Sequence, residues 1–86
     1  MKRVLITGAA GFVGRHFCKY FLDKNYKVVG IDNLQKYTGS IDPKKWPLFN
    51  PYDYKNFKFI KMNCVDWFKK NKSIKFDYVL HLAAIV

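Results

Sequence analysis

Three glycines at fixed spacing constrain this chain more than anything else in it. Thr7-Gly8-Ala9-Ala10-Gly11-Phe12-Val13-Gly14 follows a short β-branched run, Arg3 to Thr7, and opens a stretch of helical periodicity. A buried strand that turns at once into a helix needs unusual backbone dihedrals at the turn, which Gly8 can adopt. Gly11 brings no Cβ, so its backbone can approach a diphosphate closely, and Gly14 lets the helix pack tightly on the sheet. The first turn of any helix leaves N–H groups without intrahelical acceptors and carries the positive end of the dipole, so it attracts phosphate. The P-loop alternative is excluded, because no Gly-Lys-Ser/Thr follows.

Asp32 adds to the pattern. It ends a second apolar run, 18 residues after Gly14, where a carboxylate can accept hydrogen bonds from adenosine ribose hydroxyls. A 2′-phosphate would be repelled there, which favours NAD over NADP. Arg15 and Lys36 lie close enough in sequence to temper that preference.

The remaining periodicities alternate between strand and helix. Strands are expected at Arg3 to Thr7, Lys27 to Asp32, Phe57 to Met62 and Phe76 to Ala83. A helix from Phe12 to Lys24, closed by Asn25, would turn Val13, Phe17, Tyr20 and Phe21 to the core, and a shorter one would run from a cap at Asp66 to Lys70. Such alternation implies a parallel sheet, and right-handed crossovers give the order 3-2-1-4. Between Asn33 and Asn56, Gly39, Pro43, Pro47 and Pro51 forbid a long helix. Asp42 followed by Pro43 suits the start of one helical turn around Lys44 to Trp46. Tyr37, Trp46, Phe49, Tyr52 and Tyr54 would pack this connection on itself or on its neighbours.

Composition bounds the function. Eighty-six residues make one small domain, and half of them are hydrophobic, which excludes disorder. No apolar run reaches the ~18–20 residues of a membrane span, and the apolar start is too short for a secretory signal, so a cytoplasmic protein is expected. Cys18 and Cys64 lack metal-site spacing and read as buried thiols. Neither His16, expected to face solvent, nor His81, expected to be packed, has a metal or triad arrangement. Trp46 and Trp67 read as anchors of local cores. The net charge of +10 raises nucleic acid as a partner, although a Lys-, Asn-, Phe- and Tyr-rich usage also arises from an AT-rich genome. Lys55-Asn-Phe-Lys-Phe-Ile-Lys-Met62 loosely echoes an RNA-stacking strand, but it lacks that pattern's small residues, and helices would cover both faces of a parallel sheet.

TGAAGFVG, then IDNL at Ile31 to Leu34, then LHLAA at Leu80 to Ala84 resemble the extended short-chain dehydrogenase/reductase family. Within it they are similar to the NAD-dependent sugar-nucleotide epimerases and dehydratases. The resemblance runs over the whole chain and implies an α/β doubly wound Rossmann fold that binds NAD. By the family's pattern Gly8, Gly11 and Gly14 form the phosphate turn, with the N–H groups of Phe12 and Val13 beside them. Asp32 and Asn33 hold the adenosine ribose, and Leu82, Ala83 and Ala84 run beside the cofactor toward the nicotinamide. Where the family often carries an acid and an aliphatic residue at the adenine edge, this chain has Asn63-Cys64, and the amide oxygen of Asn63 can still accept from the adenine amino group.

The family's chemistry needs a Tyr activated by a Lys four residues on, and its region lies beyond position 86. Tyr20-x-x-x-Lys24 and Tyr54-x-x-x-Lys58 match the spacing, but the first lies on helix one and the second precedes strand three, so neither is catalytic. Strand four would be an uncovered apolar edge. Residues 1–86 are therefore expected to form part of an NAD(P)-binding domain in nucleotide-sugar metabolism, with the catalytic and substrate-binding portion absent. Either a C-terminal portion or another chain would cover strand four. A stand-alone, non-catalytic NAD-binding module is the alternative, and a basic RNA-binding domain is the rival from another class.

Overall fold

The computed structural model describes residues 1–35 and 39–83. Its strands are β1 (Arg3–Thr7), β2 (Lys27–Asp32), β3 (Phe57–Lys61) and β4 (Tyr78–His81), and its helices are α1 (Phe12–Asp23) and α2 (Cys64–Lys70). All strand pairings are parallel, in the order β3-β2-β1-β4. The chain leaves β1 for β2 and β3 on one side and returns to β4 on the other, so the strand order reverses beside β1.

The central strand explains the layering. Val4 and Ile6 face α1 and meet Cys18, Leu22, Val28, Trp46 and Phe57, whereas Leu5 faces α2 and meets Val29, Ile31, Cys64 and Trp67. Burial on both faces is what a continuous apolar run in a parallel sheet requires. Burial pushes the Cys18 thiol up to about 12, so it is an inert packing group.

The face that α1 turns inward differs from the expected one. Gly14, Cys18 and Leu22 are buried, while Val13, Phe17 and Tyr20 are 52%, 37% and 52% exposed; of the expected inner residues only Phe21 packs against the core. Small residues let the helix lie close on the sheet, and the large ones are left outside. Asn25 closes the helix as read, at φ 65°, with Tyr26 N donating to Phe21 O at 3.0 Å and Asn25 N to Leu22 O at 3.0 Å.

Three other boundaries move. α2 is capped by Asn63, whose side chain accepts from Val65 N at 2.8 Å, and Asp66 lies within its first turn. β4 is half the expected length. The long connection holds two single turns, Pro43–Lys45 capped by Asp42 and Pro51–Asp53 capped by Asn50. It is fastened to α1 where Tyr54 Oη donates to Asp23 at 2.6 Å beside the Lys19–Asp23 ion pair.

The two sheet edges differ in chemistry. β3 shows exposed Lys58 and Lys61, which discourage further pairing. The exposed edge of β4 shows Tyr78 and Val79 instead.

Candidate functional site

A parallel sheet brings the C-terminal ends of all its strands to one rim, and the glycine turn lies there against β2 and β4. Gly8 N and Ala9 N both donate to Ile31 O, at 2.8 and 3.2 Å. Gly8 has φ +70°, and a Cβ on it would lie 2.8 Å from Ala83 N and from the Leu82 carbonyl carbon. Gly14 is tighter still, because a Cβ there would lie 2.1 Å from Gly8 O. It packs on the turn itself. Gly30, inside β2, admits the Ala9 side chain, whose Cβ would be 2.8 Å from a Cβ at position 30. Sequence reasoning passed over Gly30, although a glycine inside a strand signals close approach.

Gly11 is different. A Cβ there would touch only Gly8 O, at 3.4 Å, an ordinary contact. It is the N-cap of α1 and offers no side-chain cap, and the first bond onto the helix is Arg15 N to Gly11 O at 3.0 Å. The N–H groups of Phe12, Val13 and Gly14 precede that bond, so the helix start keeps donors to offer. The fold thus requires glycine at 8 and 14, while position 11 is a cradle that a larger side chain would fill. This arrangement fits a diphosphate.

Asp32 is 8% exposed, and its carboxylate ties β2 to the turn. Oδ2 accepts from Ala10 N at 3.1 Å and from Ser40 Oγ at 3.2 Å, and Oδ1 accepts from Leu34 N at 2.8 Å. Asn33 is half-buried, with its amide oxygen accepting from Gln35 N at 3.3 Å. Exposed Asn63 and buried Cys64 follow β3 at the same rim. Leu82 N donates to Thr7 O at 3.0 Å, which holds Leu82 and Ala83 over Gly8. Ala84 and Lys36 lie outside the described residues, as does Tyr37.

Thr7 was also missed. It is fully buried, with Oγ1 2.7 Å from His81 Nδ1 and accepting from Ala83 N at 3.4 Å, so it pins β4 to β1 at the crevice. His81 is exposed rather than packed, because no described element covers that face of β4; His16 is exposed as expected. The outer face of α1 carries an apolar hollow of about 340 Å³ lined by Phe12, Val13, His16, Phe17 and Tyr20. Among the described residues no cluster could hold a metal ion, and no helix is long and apolar enough to cross a membrane.

Comparison with known proteins places this geometry. The sequence model of the NAD dependent epimerase/dehydratase family matches residues 4–86. The chain is 38% identical over 88 residues to the uncharacterised protein MJ1055 of Methanocaldococcus jannaschii, covering 96% of this chain and 27% of that protein. It is 39% identical over 84 residues to the uncharacterised UDP-glucose epimerase YtcB of Bacillus subtilis, covering 96% of this chain and 26% of that one. Among solved structures, UDP-glucuronic acid 4-epimerase from Bacillus cereus in complex with NAD superposes with a TM-score of 0.73 at 37% identity, over 96% of this chain and 27% of that one. The chain thus spans about a quarter of the length of the curated relatives it matches.

Proposed function

The chain belongs to the NAD dependent epimerase/dehydratase family, and we propose that it is the NAD-binding portion of a sugar-nucleotide epimerase or dehydratase. Gly8, Gly11 and Gly14 form the phosphate turn, where Phe12 and Val13 present their N–H groups to the diphosphate. Asp32 and Asn33 take the adenosine ribose. Asn63 and Cys64 border the adenine, and Leu82, Ala83 and Ala84 border the nicotinamide side. When bound, NAD supplies a hydride acceptor; these residues bind and orient it. The observation that carries the reading is the cradle at Gly11, kept open in front of the helix start beside a carboxylate at the end of β2. The Bacillus cereus neighbour, solved with NAD, supports the choice of cofactor.

Calorimetric titration with NAD, NADP and single-stranded RNA tests it. NAD should bind, and more tightly than NADP. Asp32→Ala should weaken NAD about tenfold, the value of a lost hydrogen bond to a charged group. Salt-sensitive heat from RNA with none from NAD would overturn the proposal in favour of the rival. Against that rival, Phe57 is buried and Phe59 partly so in the core beneath α1, out of reach of stacking bases.

The proton-transfer chemistry lies in a companion portion, which covers the β4 edge and the outer face of α1. The apolar hollow on the outside of α1 and the exposed Tyr78 and Val79 of β4 are the surfaces such a portion would cover. Accordingly the 86 residues alone should turn over no sugar nucleotide; measurable epimerisation by the purified chain would refute this.

A further inference from the structure

The stretch Gly39 to Ile41 lies in the connection whose sequence departs from any regular element, yet it reaches back to the glycine turn. Ile41 N donates to Ala10 O at 3.0 Å. The Arg15 guanidinium donates to Ala10 O at 3.3 Å and to Gly39 O at 3.5 Å. Trp46 Nε1 donates to Ile41 O at 2.7 Å, anchoring the stretch in the core. In its middle, the Ser40 hydroxyl donates to Asp32 Oδ2 at 3.2 Å, on the same oxygen that accepts from Ala10 N.

These contacts orient the carboxylate at the corner. Among the described residues the donors to the Asp32 carboxylate are Ala10 N–H, Leu34 N–H and Ser40 O–H, all neutral. Among the described residues no cation forms an ion pair with it. Arg15, on the first turn of α1, is directed to two carbonyls and lies over the Phe12 ring at 5.4 Å. The Asp32 carboxylate is thus held from two sides, by the glycine turn and by the stretch around Ser40. Leu34, at φ 57°, takes a backbone shape uncommon for its residue type and so presents its N–H to Oδ1.

We propose that Ser40 is a specificity-determining positioning residue: by fixing the Asp32 carboxylate, it makes the corner accept a dinucleotide with a free adenosine 2′-hydroxyl and reject one with a 2′-phosphate. The inference rests on the NAD-binding reading above and extends it. With Ser40 in place the carboxylate offers its remaining lone pairs to the ribose in one direction. Without it Oδ2 keeps only the bond from Ala10 N, and the carboxylate is less well aimed.

The test compares NAD and NADP affinities of the 86-residue chain carrying Ser40, Ser40→Ala or Ser40→Thr, together with thermal melting. Ser40→Ala should narrow the NAD-to-NADP affinity ratio about fivefold, mainly by weakening NAD, the scale of one net hydrogen bond. Ser40→Thr keeps the hydroxyl and should restore the ratio. Melting temperatures should agree within about 2 °C, because Ser40 is only half-buried and outside the core. An unchanged ratio, or an equal loss for both dinucleotides, would leave Ser40 a mere prop and overturn the inference while the NAD reading stands. If the unsubstituted chain bound neither dinucleotide, that reading would fall and this inference with it.

Discussion

Gly11→Val should leave this chain folded and lower its NAD affinity by about a hundredfold or more. The two halves of that expectation have separate causes. A Cβ at position 11 meets only Gly8 O at 3.4 Å, so the protein itself has room for a side chain there. Its backbone, at φ −72° and ψ 171°, suits any residue. The added isopropyl group would instead occupy the space before the first N–H groups of α1, where the diphosphate must come within hydrogen-bonding distance. Circular dichroism melting and calorimetric titration on one preparation separate the effects. Gly11→Ala, with one methyl group, should fall between. Equal NAD affinities for Gly11, Ala and Val would mean that the diphosphate does not approach this face, and the cofactor site would have to be sought elsewhere.

How much of this was legible in the sequence depends on the kind of signal. Strand order and layering follow from alternation and crossover handedness, which act over the whole chain and tolerate errors at boundaries. The inner face of α1 was misread because size was taken for burial. Phe17 and Tyr20 are the larger side chains, but Gly14, Cys18 and Leu22 recur every four residues and permit closer contact with the sheet. A small-residue stripe carries little hydrophobicity and is overshadowed by aromatic neighbours. His81 was misjudged for a related reason: a strand position looks packed until it is known whether anything lies on that face.

The connection between β2 and β3 was partly legible. Asp42-Pro43 and Asn50-Pro51 follow one rule, an oxygen-bearing cap before a proline that starts a turn, and only the first was noticed. The contact of Ser40 with Asp32 is different in kind. It joins a loop to a strand end across the fold, and no local periodicity encodes it. Asn63, set against Asp66, shows how a single position resolves two readings. The residue where the chain leaves β3 becomes the cap, because Asn63 stands immediately before the first helical residue, Cys64.

Gly14→Ala should be the most damaging single methyl group in the molecule, acting on the fold before it acts on any ligand. The new Cβ would lie 2.1 Å from Gly8 O, 2.8 Å from Ala9 Cα and 2.9 Å from the Ala9 carbonyl carbon. All three are backbone atoms, so no side-chain rotamer can relieve the clash. Gly8 O cannot retreat freely, because Gly8 N is bonded to Ile31 O and the Leu82–Ala83 backbone lies against the other side of Gly8. Either α1 lifts off the sheet and loses the packing of Cys18 and Leu22, or the turn distorts and breaks its bonds to β2. Overpacking of this severity costs about 3 kcal/mol or more, a large share of what a domain of this size possesses. The melting temperature should fall by about 15 °C, whereas Gly11→Ala should move it by no more than about 2 °C. Saturating NAD would recover only what its own binding contributes, so the gap between the two variants should persist with ligand present. A Gly14→Ala chain that melts with the parent would show that α1 begins farther from Gly8 than the geometry here requires, and the orientation of the donor groups toward the crevice would have to be revised with it.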